Sequence, residues 1–99
     1  MTNNIIRQDG LIFNKLNGAI IGYNGTDTIV EIPSTIGDYA VTSIGSYTFN
    51  NCSSLTSIII PNSVVTIGQS AFYNCTSLTS ITIPSSVVTI GQSAFEDCT

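Results

Sequence analysis

The chain has no histidine and no tryptophan, and only Arg7 and Lys15 among its 99 residues are cationic. The missing histidine removes the most common general base and a frequent zinc ligand together. Serine and threonine are plentiful, but a hydroxyl nucleophile needs a base within hydrogen-bond reach, and neither a Ser–His nor a Ser–Lys arrangement suggests itself. Glu96-Asp97 is a neighbouring pair on a short turn, which reads as solvated rather than catalytic. The eight glycines are spread one per turn, so no phosphate-binding loop is present. No catalytic residue, metal site or cofactor is implied, and the chain reads as a non-enzyme.

Charge is scarce as well. Charged residues make up 8% of the chain and the net charge is −4, against roughly 25% charged residues in an average globular protein. Nucleic-acid binding and docking to anionic lipid both need clustered lysine and arginine, and both are set aside. No apolar run approaches the ~20 residues of a membrane span. The amino terminus shows no basic stretch followed by an apolar one, so no secretory signal is visible. The residues leave the compartment open: the protein stays inside, or the export signal lies elsewhere on a longer chain. Cys52, Cys75 and Cys98 are odd in number, so a complete intrachain disulfide framework is excluded. Each reads as a small buried hydrophobe, though adjacent copies would approach disulfide range.

What the chain does have is a repeat. "VVTIGQSAF" occurs at Val64–Phe72 and again at Val87–Phe95. With an offset of 23, Pro61–Thr76 matches Pro84–Thr99 at 13 of 16 positions, and Asp38–Ile60 matches Pro61–Ile83 at 12 of 23. A fixed period in this range marks a solenoid with one coil per repeat. In "LTSITIP" (Leu78–Pro84), Ile81 and Ile83 alternate with Thr82, as in a strand with one buried face. Pro84 suits the strand exit, where no ladder bond is needed. "SSVVTIG" (Ser85–Gly91) turns, runs extended and stops at a glycine able to take positive φ. "QSAFEDC" (Gln92–Cys98) predicts about one helical turn, with Ala94 and Cys98 at i,i+4. Stacked coils would set each apolar residue on its copy, giving internal columns such as Phe49, Phe72 and Phe95.

These motifs resemble the BspA-like leucine-rich repeats, whose consensus is similar to LxxIxIPxSVxxIGxxAFxxC. The likeness covers Asp38 to Thr99, with Thr48 standing where later coils carry Ala71 and Ala94, a change that threatens little. "IPSTIGDYAVTSIG" (Ile32–Gly45) resembles family first repeats, which carry extra residues after the proline; Pro33 lies five positions ahead of the period. The resemblance implies a right-handed solenoid, mainly β with short helical turns. It also implies a cell-surface or secreted protein that binds partners through a strand face.

Ahead of the repeats, Leu11–Phe13, Ala19–Tyr23 and Ile29–Ile32 are apolar runs separated by Asn17-Gly18 and Asn24-Gly25, strong hairpin signals. They predict an antiparallel β-meander cap whose last strand starts the solenoid. One domain is expected over 1–99: cap and lead-in 1–37, repeats at 38–60 and 61–83, and a partial repeat at 84–99. The third coil lacks its strand, which would leave Val87, Val88, Ile90, Ala94, Phe95 and Cys98 without a neighbour on one side. Such a surface invites association, either in a longer repeat protein or, as favoured here, in an end-to-end homodimer about a two-fold axis.

Alternation also predicts an outward strand face of Thr56, Ser57 and Ile59 beside Thr79, Ser80 and Thr82, with Glu31 in the first strand. The expected function is therefore a protein-interaction or adhesion module presenting that face to a protein partner the sequence does not name. The alternatives are a self-assembling structural unit and, from the repeated threonines, a glycan- or ice-facing hydroxyl array. Three Asn-x-Ser/Thr triplets, at Asn24, Asn51 and Asn74, are assigned no modification.

Overall fold

The computed structural model describes residues 3–98, and its first hairpin turns on Asp9-Gly10. Both residues take positive φ, 53° and 84°, the type I′ geometry that matches strand twist. This turn joins β1 (Ile5–Gln8) to β2 (Leu11–Asn14), and β2 pairs antiparallel with β3 (Ala19–Tyr23). The expected meander exists, but shifted by one strand: β1 replaces the third apolar run. That run forms β4 (Ile29–Glu31) in a different sheet.

The five extra residues ahead of the period are taken up by a hairpin of β5 (Thr35–Ile36) and β6 (Tyr39–Ala40) on a second type I′ turn, with φ of 56° at Gly37 and 71° at Asp38. The repeats then alternate between two sheets. β7 (Ser43–Ile44), β9 (Thr66–Ile67) and β11 (Thr89–Ile90) extend the cap as parallel strands, in the order β1-β2-β3-β7-β9-β11. β8 (Ser57–Ile59) and β10 (Ser80–Thr82) stack on β4 in the order β10-β8-β4. Equivalent residues pair: Ile44 with Ile67, Ile67 with Ile90, and Ile58 with Ile81. The coils are therefore in register, as the 23-residue period requires.

Between the sheets lies the core. Phe49 and Phe72 stack at 5.2 Å between centroids and 1° between planes; Phe72 and Phe95 do so at 5.3 Å and 2°. Tyr23 of the cap leans on Phe49 at 5.3 Å. The aromatic column thus starts in the meander, which explains how the cap covers the first coil. Val41, Val64, Ile44, Ile67, Leu55 and Ile58 fill the remaining columns and are buried. Thr48, in the alanine position, is buried too; its hydroxyl donates to the carbonyls of Ile20 and Gly45 at 2.9 and 2.7 Å. The polar group is satisfied, so the departure costs little.

Two local expectations fail. Gln92–Cys98 and its counterparts form no helical turn but a chain of tight turns. Tyr47 and Asn51, Ser70 and Asn74, and Ser93 and Asp97 all have φ between 53° and 61°, and a left-handed residue every fourth position interrupts a right-handed helix. The amides of Tyr47, Phe49 and Asn51 donate to Gln69, Ala71 and Tyr73 of the next coil, and those of Ser70, Phe72 and Asn74 to Gln92, Ala94 and Glu96. A helix would have kept these bonds within one coil. Left-handed geometry costs roughly 1–2 kcal/mol per residue, and each cross-coil bond returns about 1 kcal/mol.

Secondly, Gly45, Gly68 and Gly91 do not have positive φ. Gly68 and Gly91 are required by proximity: a β-carbon on Gly68 would sit 2.6 Å from the Ser46 nitrogen and 2.7 Å from the Gly45 carbonyl carbon.

Candidate functional site

The outer face of the β4-β8-β10 sheet follows directly from strand pairing. Val30, Ile58 and Ile81 form the inward row, so their neighbours must point out. One outward row is Ile29, Ser57 and Ser80; the other is Glu31, Ile59 and Thr82. Ile29 is 61% exposed and Ile59 47%. The structure brings Glu31, Ser57, Ile59, Ser80 and Thr82 onto one surface, and adds Ile29, which the sequence reading omitted. Its signal was available: in "TIVEIP" Ile29 is two residues before Glu31 and shares its side.

Thr56 and Thr79 have a different job. Their hydroxyls donate backward across the coil boundary, Thr56 Oγ1 to the Thr28 carbonyl at 2.9 Å and Thr79 Oγ1 to the Thr56 carbonyl at 3.3 Å. They tie the strand entrances together. Ser57, Ser80 and Thr82 make no side-chain hydrogen bond among the described residues, so three hydroxyls of the face remain available to a ligand.

In the last described coil, Ala94 is buried, and Val87, Phe95 and Cys98 are half-buried. Ile90 is 47% exposed although Ile67, its copy one coil earlier, is fully buried. Val88 is 79% exposed, but its copy Val65 is itself 43% exposed. Val88 therefore belongs to the outer surface of the other sheet and not to the core column.

No sequence signal pointed to a third feature, a cavity of about 270 Å³ where the loop after β3 meets the first coil. Tyr23, Asp27, Asn50 and Cys52 are among its lining. The Tyr23 hydroxyl accepts a bond from the Asp27 amide at 3.2 Å, and burial pushes its pKa up. The Asn50 Oδ1 atom is buried and finds no partner among the described residues. All three cysteines are free thiols. Cys75 Sγ donates to the Phe49 carbonyl at 3.0 Å, and Cys98 Sγ repeats the contact with Phe72 at 2.9 Å. The neighbouring Cys75 side chain pulls the Cys52 thiol below its ordinary value, while the same neighbour and burial push Cys75 up. Burial raises Cys98. Among the described residues no three His, Cys, Asp or Glu side chains cluster as metal ligands, and no helix is long and apolar enough to cross a membrane.

Residues 23–99 match the family described as "BspA type Leucine rich repeat region (6 copies)". Three solved structures share the fold. The Treponema pallidum (T. pallidum) leucine-rich repeat protein is 35% identical over 80% of this chain and 37% of its own, with TM-score 0.78. A leucine-rich cell surface protein from Faecalibacterium prausnitzii is 36% identical over 98% of this chain and 29% of its own, with TM-score 0.81. A leucine-rich repeat protein from Bacteroides capillosus is 26% identical over 94% of this chain and 75% of its own, with TM-score 0.86. This chain thus spans about a third of the length of the first two. The comparison with curated proteins gives no match. By its repeats and its fold, the chain belongs to the BspA type leucine-rich repeat family.

Proposed function

We propose that the chain is a non-catalytic module that binds other proteins through the outer face of the β4-β8-β10 sheet, as an adhesive element of a bacterial surface. The observation that carries this reading is the exposure of Ile29 and Ile59 amid the free polar groups of Glu31, Ser57, Ser80 and Thr82. A small apolar centre rimmed by hydrogen-bonding groups is the make-up of a protein interface. The cross-coil bonds of Thr56 and Thr79 hold the strands in place beforehand, which lowers the ordering cost of binding. A surface location is supported by the description of the Faecalibacterium prausnitzii relative as a cell surface protein. A glycan- or ice-facing array draws less support, because the row holding Thr82 continues with Ile59 and Glu31 instead of threonines.

The second reading is self-association through the last coil. It is favoured by the exposure of Ile83 and Ile90, at 38% and 47%, whose copies Ile60 and Ile67 are buried. One experiment separates the two: biolayer interferometry against immobilised extracellular-matrix and serum glycoproteins, with light scattering on the same samples. Strand-face binding is expected to fall about tenfold or more in Ile59→Arg, the effect of losing a central contact, while Phe95→Asp retains it. Unchanged affinity in Ile59→Arg overturns the first reading; a monomer at every concentration overturns the second.

A further inference from the structure

The two Asn-Gly pairs of the cap are chemically equivalent in sequence and opposite in structure. Cyclisation of such a pair needs the glycine amide nitrogen free to attack the asparagine Cγ, and an asparagine side chain free to swing over it.

At Asn17-Gly18 both are tied. Asn17 Oδ1 accepts the Ala19 amide at 3.1 Å. The Gly18 amide donates to the Asn14 carbonyl at 3.0 Å, and the Gly18 carbonyl accepts Thr42 N at 2.8 Å and Ser43 N at 3.2 Å. At Asn24-Gly25 neither is tied. Asn24 is exposed and its side chain makes no hydrogen bond among the described residues. The Gly25 amide donates to nothing there, and residues 24–27 lie outside any strand. One backbone bond, Asn24 N to the Gly10 carbonyl at 2.7 Å, holds the near side of the pair.

We propose that Asn24 is a site of spontaneous deamidation in the folded protein and that Asn17 is protected by the fold. The Gly25 nitrogen forms a bond to Asn24 Cγ as the Cγ–Nδ2 bond breaks. The Gly25 amide proton passes to solvent base, and Nδ2 leaves as ammonia. Water then opens the cyclic imide at either carbonyl, giving aspartate or isoaspartate. The net change is one water consumed and one ammonia released, with no oxidant or cofactor. Asn24 shares a depression of about 230 Å³ with Arg7 and Asp9. The product therefore adds a carboxylate to a depression lined by both Arg7 and Asp9. The isoaspartate form adds a methylene to the backbone that leads from β3 into β4.

The test is ageing of the intact chain in mildly alkaline buffer, in the native state and in concentrated urea. Peptide mass mapping and enzymatic isoaspartate methylation then locate the product. In urea both sites are expected to react at similar rates. In the native state Asn24 is expected to react about tenfold or more faster than Asn17, whose reaction must wait for local opening. Asn24→Gln should abolish the native product, and Asn17→Gln should leave it unchanged. Native deamidation of Asn17 at a rate equal to that of Asn24, or none at Asn24, overturns the proposal.

Discussion

Phe72→Ala is expected to unfold the chain, or nearly so, at room temperature. Phe72 is fully buried and is the only phenylalanine of the column with a stacked phenylalanine on each side. Truncating a buried phenylalanine costs about 3–5 kcal/mol, and each lost ring pair adds roughly 0.5–1.5 kcal/mol. A domain of this size has a total stability of only about 5–15 kcal/mol. The loss falls in the middle of the stack, where the coil that would collapse into the space is pinned by the bonds of Phe49 N to Ala71 O and Phe72 N to Ala94 O. Phe95→Ala should be milder, because Phe95 is half-buried and has one ring neighbour. Urea melts followed by far-ultraviolet circular dichroism compare the two; equal midpoints would refute the column as the centre of the core.

The second large effect comes from adding a single methyl. Gly68→Ala normally would stabilise by about 0.4–1 kcal/mol, through loss of freedom in the unfolded chain. Here the new carbon meets backbone, at 2.6 Å from Ser46 N and 3.0 Å from Ile44 O, and backbone of the preceding coil cannot rotate away. The coils must part. That strains packing by about 1–3 kcal/mol and weakens the Gly68 N to Ile44 O bond of 2.7 Å, worth about 1 kcal/mol. Gly91→Ala meets the Gln69 nitrogen in the same way and should behave alike. Gly22→Ala is the control, since its new carbon meets the movable end of Ile12 at 3.2 Å. Thermal melts should order the variants Gly22→Ala well above Gly68→Ala.

That glycine marks the boundary of what could be read beforehand. The period of 23 placed Gly45, Gly68 and Gly91 in a column, as it placed the phenylalanines, because identical spacing and in-register stacking are the same statement. It did not say why glycine was needed. Of the left-handed residues, Asn51, Asn74 and Asp97 are of types that favour positive φ, but Tyr47, Ser70 and Ser93, two positions after the glycines, carry nothing in their side chains that advertises it. The missing helical turn has a related cause. Apolar spacing at i,i+3 and i,i+4 suits a helix and a chain of turns equally; the choice is made by carbonyls of the next coil, which one coil's sequence does not display. For the same reason alternation put Ser57, Ile59 and Thr82 on the outer face, yet could not reveal that Thr56 and Thr79 hand their hydroxyls to the coil before. The first strand was the avoidable omission, since Asp9-Gly10 after "NNIIRQ" carries a plain hairpin signal.

Nuclear Overhauser contacts among the aromatic rings test the stacking of coils most directly. The expected pattern joins Tyr23 to Phe49, Phe49 to Phe72 and Phe72 to Phe95, with no contact between Phe49 and Phe95. Ring contacts that skip a coil, or a Phe72 ring with neither phenylalanine neighbour, would contradict a solenoid built of coils in register.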